Sequence, residues 1–173
     1  MSILVRESRD SDLPAIAAIY APAVLHGTAS FELEPPTIEE MARRRAALIE
    51  QGFPYLVAEI DGVPAGYCYA GAYRPRPAYR YAVEDSIYIA PERQGQRVGS
   101  ALLSKLIEVC ESQGFRQMVA VIGDSASAGS IGLHKAHGFT HSGTVRSVGF
   151  KNGRWLDQVL MQRMLGAGDS EPV

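Results

Sequence analysis

Hydrophobic residues recur every three to four positions in four stretches of this chain, and this spacing predicts helices. The first predicted helix begins at residue 13 and ends before a loop at residues 26–36, and the second runs from Thr37 to near Gly52. The third covers residues 98–113, and the fourth runs from Gly129 to Gly138. In the third helix one stripe is formed by Val98, Ala101, Leu102, Lys105, Leu106 and Val109. A Thr-x-x-Glu capping box opens the second helix, and Gly114 ends the third.

Shorter apolar runs, several of which alternate with polar residues, predict strands. They lie at residues 3–6, 55–60, 63–70, 83–89, 118–122, 145–150 and 155–164. Asp61-Gly62 and Asn152-Gly153 each separate two of these runs, and both dipeptides favour the tight turn of a β-hairpin.

The order of these elements predicts an α/β domain of the α+β type. We expect a mostly antiparallel, mixed central sheet of about seven strands flanked by about four helices. The strand–helix–strand unit over residues 83–122 supplies one parallel crossover. Residues 1–165 are predicted to form a single domain, and residues 166–173 a disordered tail.

Composition narrows the class of protein. The 173 residues, 46% of them hydrophobic and 21% charged, suit one ordinary globular domain, and a net charge of -2 argues against nucleic acid as a partner. No run of about 18 apolar residues predicts a membrane span, and the first nine residues lack a signal core, so we expect a cytoplasmic protein. Cys68 and Cys110 are interpreted as free core thiols.

The polar loop from Gln94 to Ser100 carries the strongest functional signal. It joins a predicted strand to the start of the clearest helix, where free N–H groups and the helix dipole favour an anion. Gly95 and Gly99 allow close backbone approach, and Arg93 and Arg97 add positive charge. The loop is neither a P-loop nor a dinucleotide fingerprint. The alternative is a solvated turn that starts a helix.

Two segments resemble the GNAT superfamily of N-acetyltransferases. Residues 83–89, Pro91 and the loop resemble that family's central strand and pyrophosphate loop, Gln/Arg-x-x-Gly-x-Gly/Ala, except that Arg97 replaces the inner glycine. Arg97 could add a cation near the phosphates if its backbone keeps a negative φ. Residues 127–139 resemble the family's Asn-x-x-Ser/Ala…Gly-Phe helix, with Ser127 in place of Asn and His134 in place of Tyr.

Further motifs resemble the phosphinothricin acetyltransferase-like subfamily. They are residues 28–32, 35–37, 73–80 and 153–157, and the whole resemblance spans about residues 3–164. It implies a GNAT-like domain that transfers acetyl from acetyl-coenzyme A, as co-substrate and without a metal. The acceptor would be the α-amino group of a small amino acid or analogue, such as phosphinothricin, methionine sulfoximine or methionine sulfone, which attacks directly in a ternary complex. By family analogy we expect a homodimer that pairs through the C-terminal hairpin.

The resemblance also implies catalytic roles. Glu84 lies inside an otherwise apolar strand, where burial raises a carboxylate's affinity for protons, and the family assigns it the role of general base. The alternative is a structural carboxylate paired with Arg80 or Arg74. His134 could donate a proton to the departing thiolate, or simply pack. His134 and His137 lack a third ligand, so no metal is expected.

The binding residues follow from the same motifs. Arg74 or Arg76 could hold a substrate carboxylate in a paired, planar contact, or both could face solvent. The other expected substrate-binding residues are Phe31, Glu32, Tyr79, Glu84, Asp85 and Ser86. The expected cofactor-binding residues are Ile87, Tyr88, Ile89, Gln94, Gly95, Gln96, Arg97, Val98, Gly99, Ser100, Ser127 and His134. Ser127 could instead cap its helix.

Two other functions stay open at this point. A protein N-terminal or polyamine acetyltransferase would suit a basic acceptor, but the Arg-rich loop at residues 74–80 favours an acceptor that bears a carboxylate. A catalytically silent acyl-coenzyme A-binding module would have no need of Glu84 within its strand.

Overall fold

The computed structural model describes residues 2–173, which form seven strands and four α-helices. The strands are β1 (Ile3–Glu7), β2 (Tyr55–Ile60), β3 (Val63–Ala72), β4 (Ala82–Ile89), β5 (Gln117–Gly123), β6 (Thr140–Lys151) and β7 (Arg154–Met164). The helices are α1 (Leu13–Leu25), α2 (Ile38–Glu50), α3 (Val98–Ser112) and α4 (Ala128–Ala136).

All seven strands form one sheet in the order β1-β2-β3-β4-β5-β7-β6. Neighbours are antiparallel except β4 and β5, which are parallel and joined through α3. The predicted fold class and the single parallel crossover are therefore confirmed. The main difference is β6, which begins at Thr140 rather than near Val145, because the chain pairs with β7 directly after the Gly138 turn.

Two apolar layers cover the sheet. On one face α3 packs over β1 to β4 and buries Leu102 and Leu106. On the other face α1 and α2 cover a group of stacked tyrosines, Tyr55, Tyr67 and Tyr69. Side chains alternate between the faces along each strand, so neighbouring residues of β4 serve different layers.

The predicted stripe on α3 is only partly right. Val98, Leu102 and Leu106 are buried as expected, but Leu103, Ile107 and Cys110 are buried as well. Lys105 is 40% exposed and forms an ion pair with Glu108. The helix lies on a broad sheet, which buries a wider face than a single stripe.

The sheet opens between its two parallel strands. Pairing of β4 with β5 covers Ala82 to Asp85 and stops there, although both strands continue. Residues 86–89 remain paired with β3, and residues 121–123 with β7. The two strands therefore diverge and leave a wedge-shaped cleft.

The C-terminal residues beyond Met164 form no helix or strand. Gly166 donates its amide to Glu111, and the carbonyl of Gly168 accepts a hydrogen bond from Arg116. The disordered tail at residues 166–173 stays a prediction. Among residues 2–173, the structure has no helix of the length and apolar character that crossing a membrane requires.

Candidate active site

A cavity of about 800 Å³ fills the cleft between β4 and β5. Its walls are the diverging ends of these strands, the loop that leads into α3, one side of α4, and the loop after α1. Most of the predicted cofactor-binding residues line it: Ile87, Tyr88, Ile89, Gln94, Gly95, Arg97, Val98, Gly99, Ser100, Ser127 and His134. Gln96 belongs to the same loop but does not line the cavity; its side chain donates to the carbonyl of Glu92.

The loop before α3 presents a row of free backbone donors. Within residues 2–173, the amides from Gly95 to Ser100 have no protein acceptor, and the first of the α3 amides to find one is that of Ala101. Arg93 and Arg97 also line this end of the cavity. Adjacent amides at a helix N-terminus, flanked by guanidinium groups, fit the charge and size of a pyrophosphate. The residues present thus fit the phosphate end of coenzyme A.

Arg97 corrects one expectation. Its φ is 66° and its ψ is 10°, so its backbone is left-handed and the condition of a negative φ is not met. The family's usual glycine adopts this conformation without strain, whereas a residue with a Cβ does so at a cost of about 1–2 kcal/mol. Arg97 therefore keeps the glycine-type turn and adds a cation to it.

Gly99 lies where α3 meets α4. A Cβ at this position would come within 3.2 Å of the Leu133 side chain on α4. The glycine therefore lets the first turn of α3 lie close to α4, and it keeps the surface next to the free amides open.

Glu84 and Asp85 point to opposite faces of the sheet. Glu84 shares a face with Tyr88, which packs in the tyrosine layer, whereas Asp85 shares a face with Val83, which packs under α3. Burial raises the pKa of Glu84, and the nearby Arg74 lowers it by a smaller amount. Within residues 2–173, no hydrogen bond or ion pair holds its carboxylate, so the alternative of a structural pair with Arg74 or Arg80 finds no contact to support it.

His134 is bound at both ring nitrogens. Nδ1 lies 2.7 Å from the carbonyl oxygen of Ser130, and Nε2 lies 2.9 Å from Oδ2 of Asp85. Burial alone lowers the pKa of His134, but the hydrogen bond to Asp85 and its charge outweigh burial and raise it overall. Ser127 occupies the N-cap position of α4 without capping it; its hydroxyl donates to the carbonyl of Gly123 at 2.7 Å.

The loop after α1 is held on the sheet by residues that we expected to touch substrate. Phe31 packs against Gly123 and Gly149, where a Cβ would collide with its ring. Glu32 accepts hydrogen bonds from Tyr20 and Arg44, which lower its pKa. Neither Phe31 nor Glu32 lines the cavity, although Thr28 in the same loop does.

The predicted residues of the Arg-rich loop lie outside the cavity. Arg74, Arg76 and Tyr79 are exposed, and the Arg74 guanidinium lies 4.4 Å from the centre of the Tyr73 ring. The loop nevertheless begins at the end of β3, where Gly71 pairs with Glu84 and Ala72 with Val83, so it starts beside the general-base candidate. Ser86 and Asp85 line the cavity, but Asp85 is already bound to His134.

One residue near the site was missed from the sequence. Lys151 at the end of β6 is buried, and its ammonium donates to the carbonyls of Ser30 and Ala23 at 2.6 and 3.3 Å. A lysine next to a hairpin turn gives no sequence signal of this role, because its partners lie about 120 residues away. Within residues 2–173, no group of three or more His, Cys, Asp or Glu side chains is arranged to hold a metal ion.

Comparison with known proteins agrees with this geometry. The phosphinothricin N-acetyltransferase of Alcaligenes faecalis is 57% identical over 166 residues, 96% of this chain and 84% of that protein. The L-methionine sulfoximine/L-methionine sulfone acetyltransferase of Pseudomonas paraeruginosa is 42% identical over 176 residues, 99% and 100% of the two chains.

A solved structure and a family profile point the same way. The crystal structure of a GNAT superfamily phosphinothricin acetyltransferase from Sinorhizobium meliloti, in complex with AcCoA, superposes with a TM-score of 0.96 at 47% identity, covering 99% of this chain and 93% of that one. The acetyltransferase (GNAT) domain profile matches residues 5–160. The resemblance found in the sequence is thus confirmed, and the chain belongs to the GNAT acetyltransferase family.

Proposed function

We propose that this enzyme transfers the acetyl group of acetyl-coenzyme A to the α-amino group of a small amino acid or analogue. Phosphinothricin, methionine sulfoximine and methionine sulfone are the acceptor types that its relatives suggest. The observation that carries the proposal is the cleft itself, which joins a row of free amides at α3 to the strand that bears the buried Glu84. Attack occurs directly, with both substrates bound in a ternary complex.

Backbone groups form most of the region that binds acetyl-coenzyme A. The free amides of residues 95–100 bind the pyrophosphate, with Arg97 close to its charge. Ile87, Tyr88 and Ile89 turn one backbone edge toward the cleft, because β5 has diverged from β4 there, and this edge binds the extended pantetheine arm. Bound acetyl-coenzyme A supplies an activated thioester. Ser127 and His134 complete the wall opposite β4.

Of the two acid–base groups, His134 lines the cleft, whereas Glu84 does not line it and lies on β4 directly before the lining residues Asp85 and Ser86. Glu84 takes the proton that the neutral acceptor amine loses as it attacks, directly or through a water, and its raised pKa suits a base that works near neutral pH. His134 supplies the proton that the leaving sulfur needs. These two residues approach the reacting atoms from different faces of the sheet.

Charged side chains define the region of the site that binds the acceptor amino acid. Arg74 or Arg76 binds the acceptor carboxylate, and the amino group then lies toward Glu84. Tyr79, Asp85 and Ser86 border this region. Phe31 and Glu32 contribute by holding the loop that covers it, as their packing against Gly149 and Arg44 indicates.

The decisive experiment is a thiol-release assay over a panel of acceptors. The panel contains phosphinothricin, methionine sulfone, methionine sulfoximine and the common amino acids, each beside its decarboxylated amine. We expect release only with acceptors that carry a carboxylate. Equal rates for an amino acid and its amine would favour a polyamine or peptide acceptor instead. Calorimetric titration with coenzyme A separates a binding module from an enzyme, since a silent module would bind without releasing thiol.

We also propose that two chains form a homodimer through the β6–β7 hairpin. Phe150 lies on β6, the edge strand of the sheet, and Trp155 lies on the neighbouring β7. Their ring centres are 5.3 Å apart, yet the two residues are 59% and 63% exposed. Exposed aromatic residues at a sheet edge are typical of an interface. Sedimentation of the wild type and of Trp155→Ser tests this, and a monomeric wild type would contradict it.

We place the enzyme in the cytoplasm. The buried thiols of Cys68 and Cys110 are free, which suits a reducing compartment. Fractionation of producing cells, followed by the thiol-release assay, tests this location.

A further inference from the structure

Ser100 and His137 form a polar contact that joins two helices beside the phosphate end of the cavity. Ser100 lies in the first turn of α3 and lines the cavity, and His137 directly follows α4. Oγ of Ser100 lies 3.2 Å from Nε2 of His137. A hydroxyl group at the phosphate site is therefore shared with an imidazole.

The other contacts of His137 fix its position and one of its hydrogens. Nδ1 lies 2.9 Å from the carbonyl oxygen of Leu133, which can only accept, so Nδ1 carries a hydrogen. The backbone carbonyl of His137 accepts a hydrogen bond from the Arg163 side chain on β7. Because Nδ1 is already committed, the protonation state of the ring is decided at Nε2 alone.

The direction of the hydrogen bond between Ser100 and His137 depends on Nε2. A neutral imidazole with its hydrogen on Nδ1 offers only a lone pair at Nε2, so the Ser100 hydroxyl must donate its single hydrogen to the ring. An imidazolium ion donates from Nε2 instead, and Oγ of Ser100 becomes the acceptor. Only in this second arrangement is the hydroxyl hydrogen free for another partner.

A phosphate group selects the second arrangement. The pyrophosphate of coenzyme A presents only acceptor oxygens, so a Ser100 hydroxyl that donates to His137 would turn an oxygen lone pair toward another oxygen. A hydroxyl that accepts from the imidazolium can donate to the phosphate in a charge-assisted hydrogen bond. Binding of the pyrophosphate and binding of the second ring proton therefore favour each other, and this coupling is reciprocal.

The charged groups of the protein around the His137 ring leave this second proton to the ligand. On α3, Glu111 is paired with Arg163 of β7, and Arg163 contacts the backbone carbonyl of His137 rather than the ring. Next to it on α4, Lys135 is exposed and His134 is held in its own buried ion pair. Within residues 2–173, no carboxylate lies within ion-pair distance of the His137 ring.

The groups on the cavity side favour the proton only when phosphate is bound. Arg93 and Arg97 line the same end of the cavity and repel a further positive charge. The negative charge of a bound pyrophosphate reverses this effect. His26, in the loop after α1, also lines the cavity and is exposed, so a ligand could change its charge as well.

We propose that His137 is a positioning residue, which takes up a proton from solvent when coenzyme A binds and thereby turns the Ser100 hydroxyl toward the pyrophosphate. The inference rests on the cofactor half of the proposed function. The proton binds to the lone pair of Nε2, and the hydrogen bond with Ser100 reverses its direction. No bond between heavy atoms forms or breaks, and the proton returns to solvent when coenzyme A leaves.

The first test measures this proton directly and does not depend on turnover. Calorimetric titration with 3′-dephospho-coenzyme A, in buffers of low and of high ionisation enthalpy, gives the number of protons taken up on binding. This probe keeps the pyrophosphate but lacks the phosphate monoester, which itself titrates near neutral pH. At about pH 7.5, where a histidine is ordinarily mostly neutral, we expect the wild type to take up roughly half a proton or more.

The pH dependence of affinity gives the same information with a defined sign. The complex holds more protons than the free protein, so affinity should be highest at low pH and fall as pH rises, by up to about tenfold per pH unit. Binding without proton uptake overturns this inference and leaves the proposed function intact. A wild type that binds neither the probe nor coenzyme A contradicts both.

Three variants assign the proton to His137. His137→Gln can present an amide N–H to Ser100 at every pH, so it should bind the probe without proton uptake and with an affinity that does not change with pH. Ser100→Ala removes the hydroxyl that must turn, so uptake should be lost there too. His26→Gln is the matched control at a second histidine of the cavity and should retain uptake. Uptake that persists in His137→Gln or Ser100→Ala, or that disappears in His26→Gln, contradicts the proposal.

Discussion

Burial gives Glu84 its chemical character. Its carboxylate lies in the middle of β4 without a hydrogen bond or ion pair within residues 2–173, so desolvation dominates and raises its pKa above the ordinary 4.5. The ionised form is the base. Activity should therefore rise with pH as this carboxyl group loses its proton. The pH at the midpoint of this rise should lie above 4.5.

Replacement of Glu84 by Gln tests this role. The amide keeps the size of the side chain but cannot accept a proton, so turnover should fall by about 10²–10⁴-fold. Affinity for coenzyme A, measured by calorimetry, should stay the same, because Glu84 does not line the cavity into which the free amides open. Glu108→Gln, at an exposed site on α3, is the control and should retain full activity. A fully active Glu84→Gln enzyme at neutral pH would exclude Glu84 from the mechanism.

The left-handed backbone of Arg97 allows its charge to be separated from its conformation. Arg97→Ala and Arg97→Gly both remove the guanidinium, but only glycine relieves the strain of a positive φ. The glycine variant should therefore be about 1 kcal/mol more stable than the alanine variant, as measured by urea unfolding. Both should bind coenzyme A more weakly than the wild type, with a smaller dependence on salt. Equal stability of the two variants would show that the turn is not strained.

At the scale of elements, Lys151 fixes the loop after α1 to the β6–β7 hairpin. Its ammonium is the donor for two backbone carbonyls that lie in a buried region, those of Ser30 and Ala23. Lys151→Met should leave these acceptors unpaired and cost about 1–3 kcal/mol of unfolding free energy. It should also raise the KM for the amino acid, since the loop loses its anchor.

A matched substitution separates this effect from a general loss of charge. Lys105→Met changes the same residue type on an exposed helix surface, where its ion pair with Glu108 contributes little. Urea unfolding and steady-state kinetics of both variants provide the comparison. Similar losses of stability for both variants would contradict the anchoring role of Lys151.

The elements themselves were largely predictable, and their contacts were not. Turn chemistry marked both hairpins, since Asp61-Gly62 and Asn152-Gly153 do adopt positive φ values, and β2 has its predicted bounds. The wider buried face of α3 and the full length of β6 depend on which surfaces they meet, which local spacing does not encode. The pairing of Asp85 with His134 joins residues 49 positions apart, and nothing in either motif indicates it.

At the scale of the whole molecule, one irregularity of the sheet organises the site. Because β4 and β5 diverge after Asp85, a single cleft meets both the free amides of α3 and the strand segment that directly follows Glu84. The family resemblance made the GNAT-like domain and its pyrophosphate loop predictable from the loop and strand motifs. The positions of Phe31 and Glu32 were not predictable, because their partners Gly149 and Arg44 are brought near only by the complete fold.

This layout predicts that separate substitutions can change the KM of each substrate without changing the KM of the other. Arg74→Lys keeps the charge but loses the paired, planar contact with a carboxylate, so the KM for the amino acid should rise by an amount equivalent to about 1.5–3 kcal/mol. The KM for acetyl-coenzyme A should not change. Arg76→Lys, tested in parallel, identifies which of the two arginines binds the carboxylate.

Gly99→Glu should produce the opposite pattern. It places a carboxylate beside the free amides, where it repels phosphate, and it also crowds Leu133. The KM for acetyl-coenzyme A should therefore rise, while that for the amino acid stays nearly constant. Initial rates measured over a grid of both substrate concentrations distinguish the two variants. If Arg74→Lys and Arg76→Lys both left the KM of the amino acid unchanged, the carboxylate would be bound elsewhere, and acceptors without a carboxylate would become the better candidates.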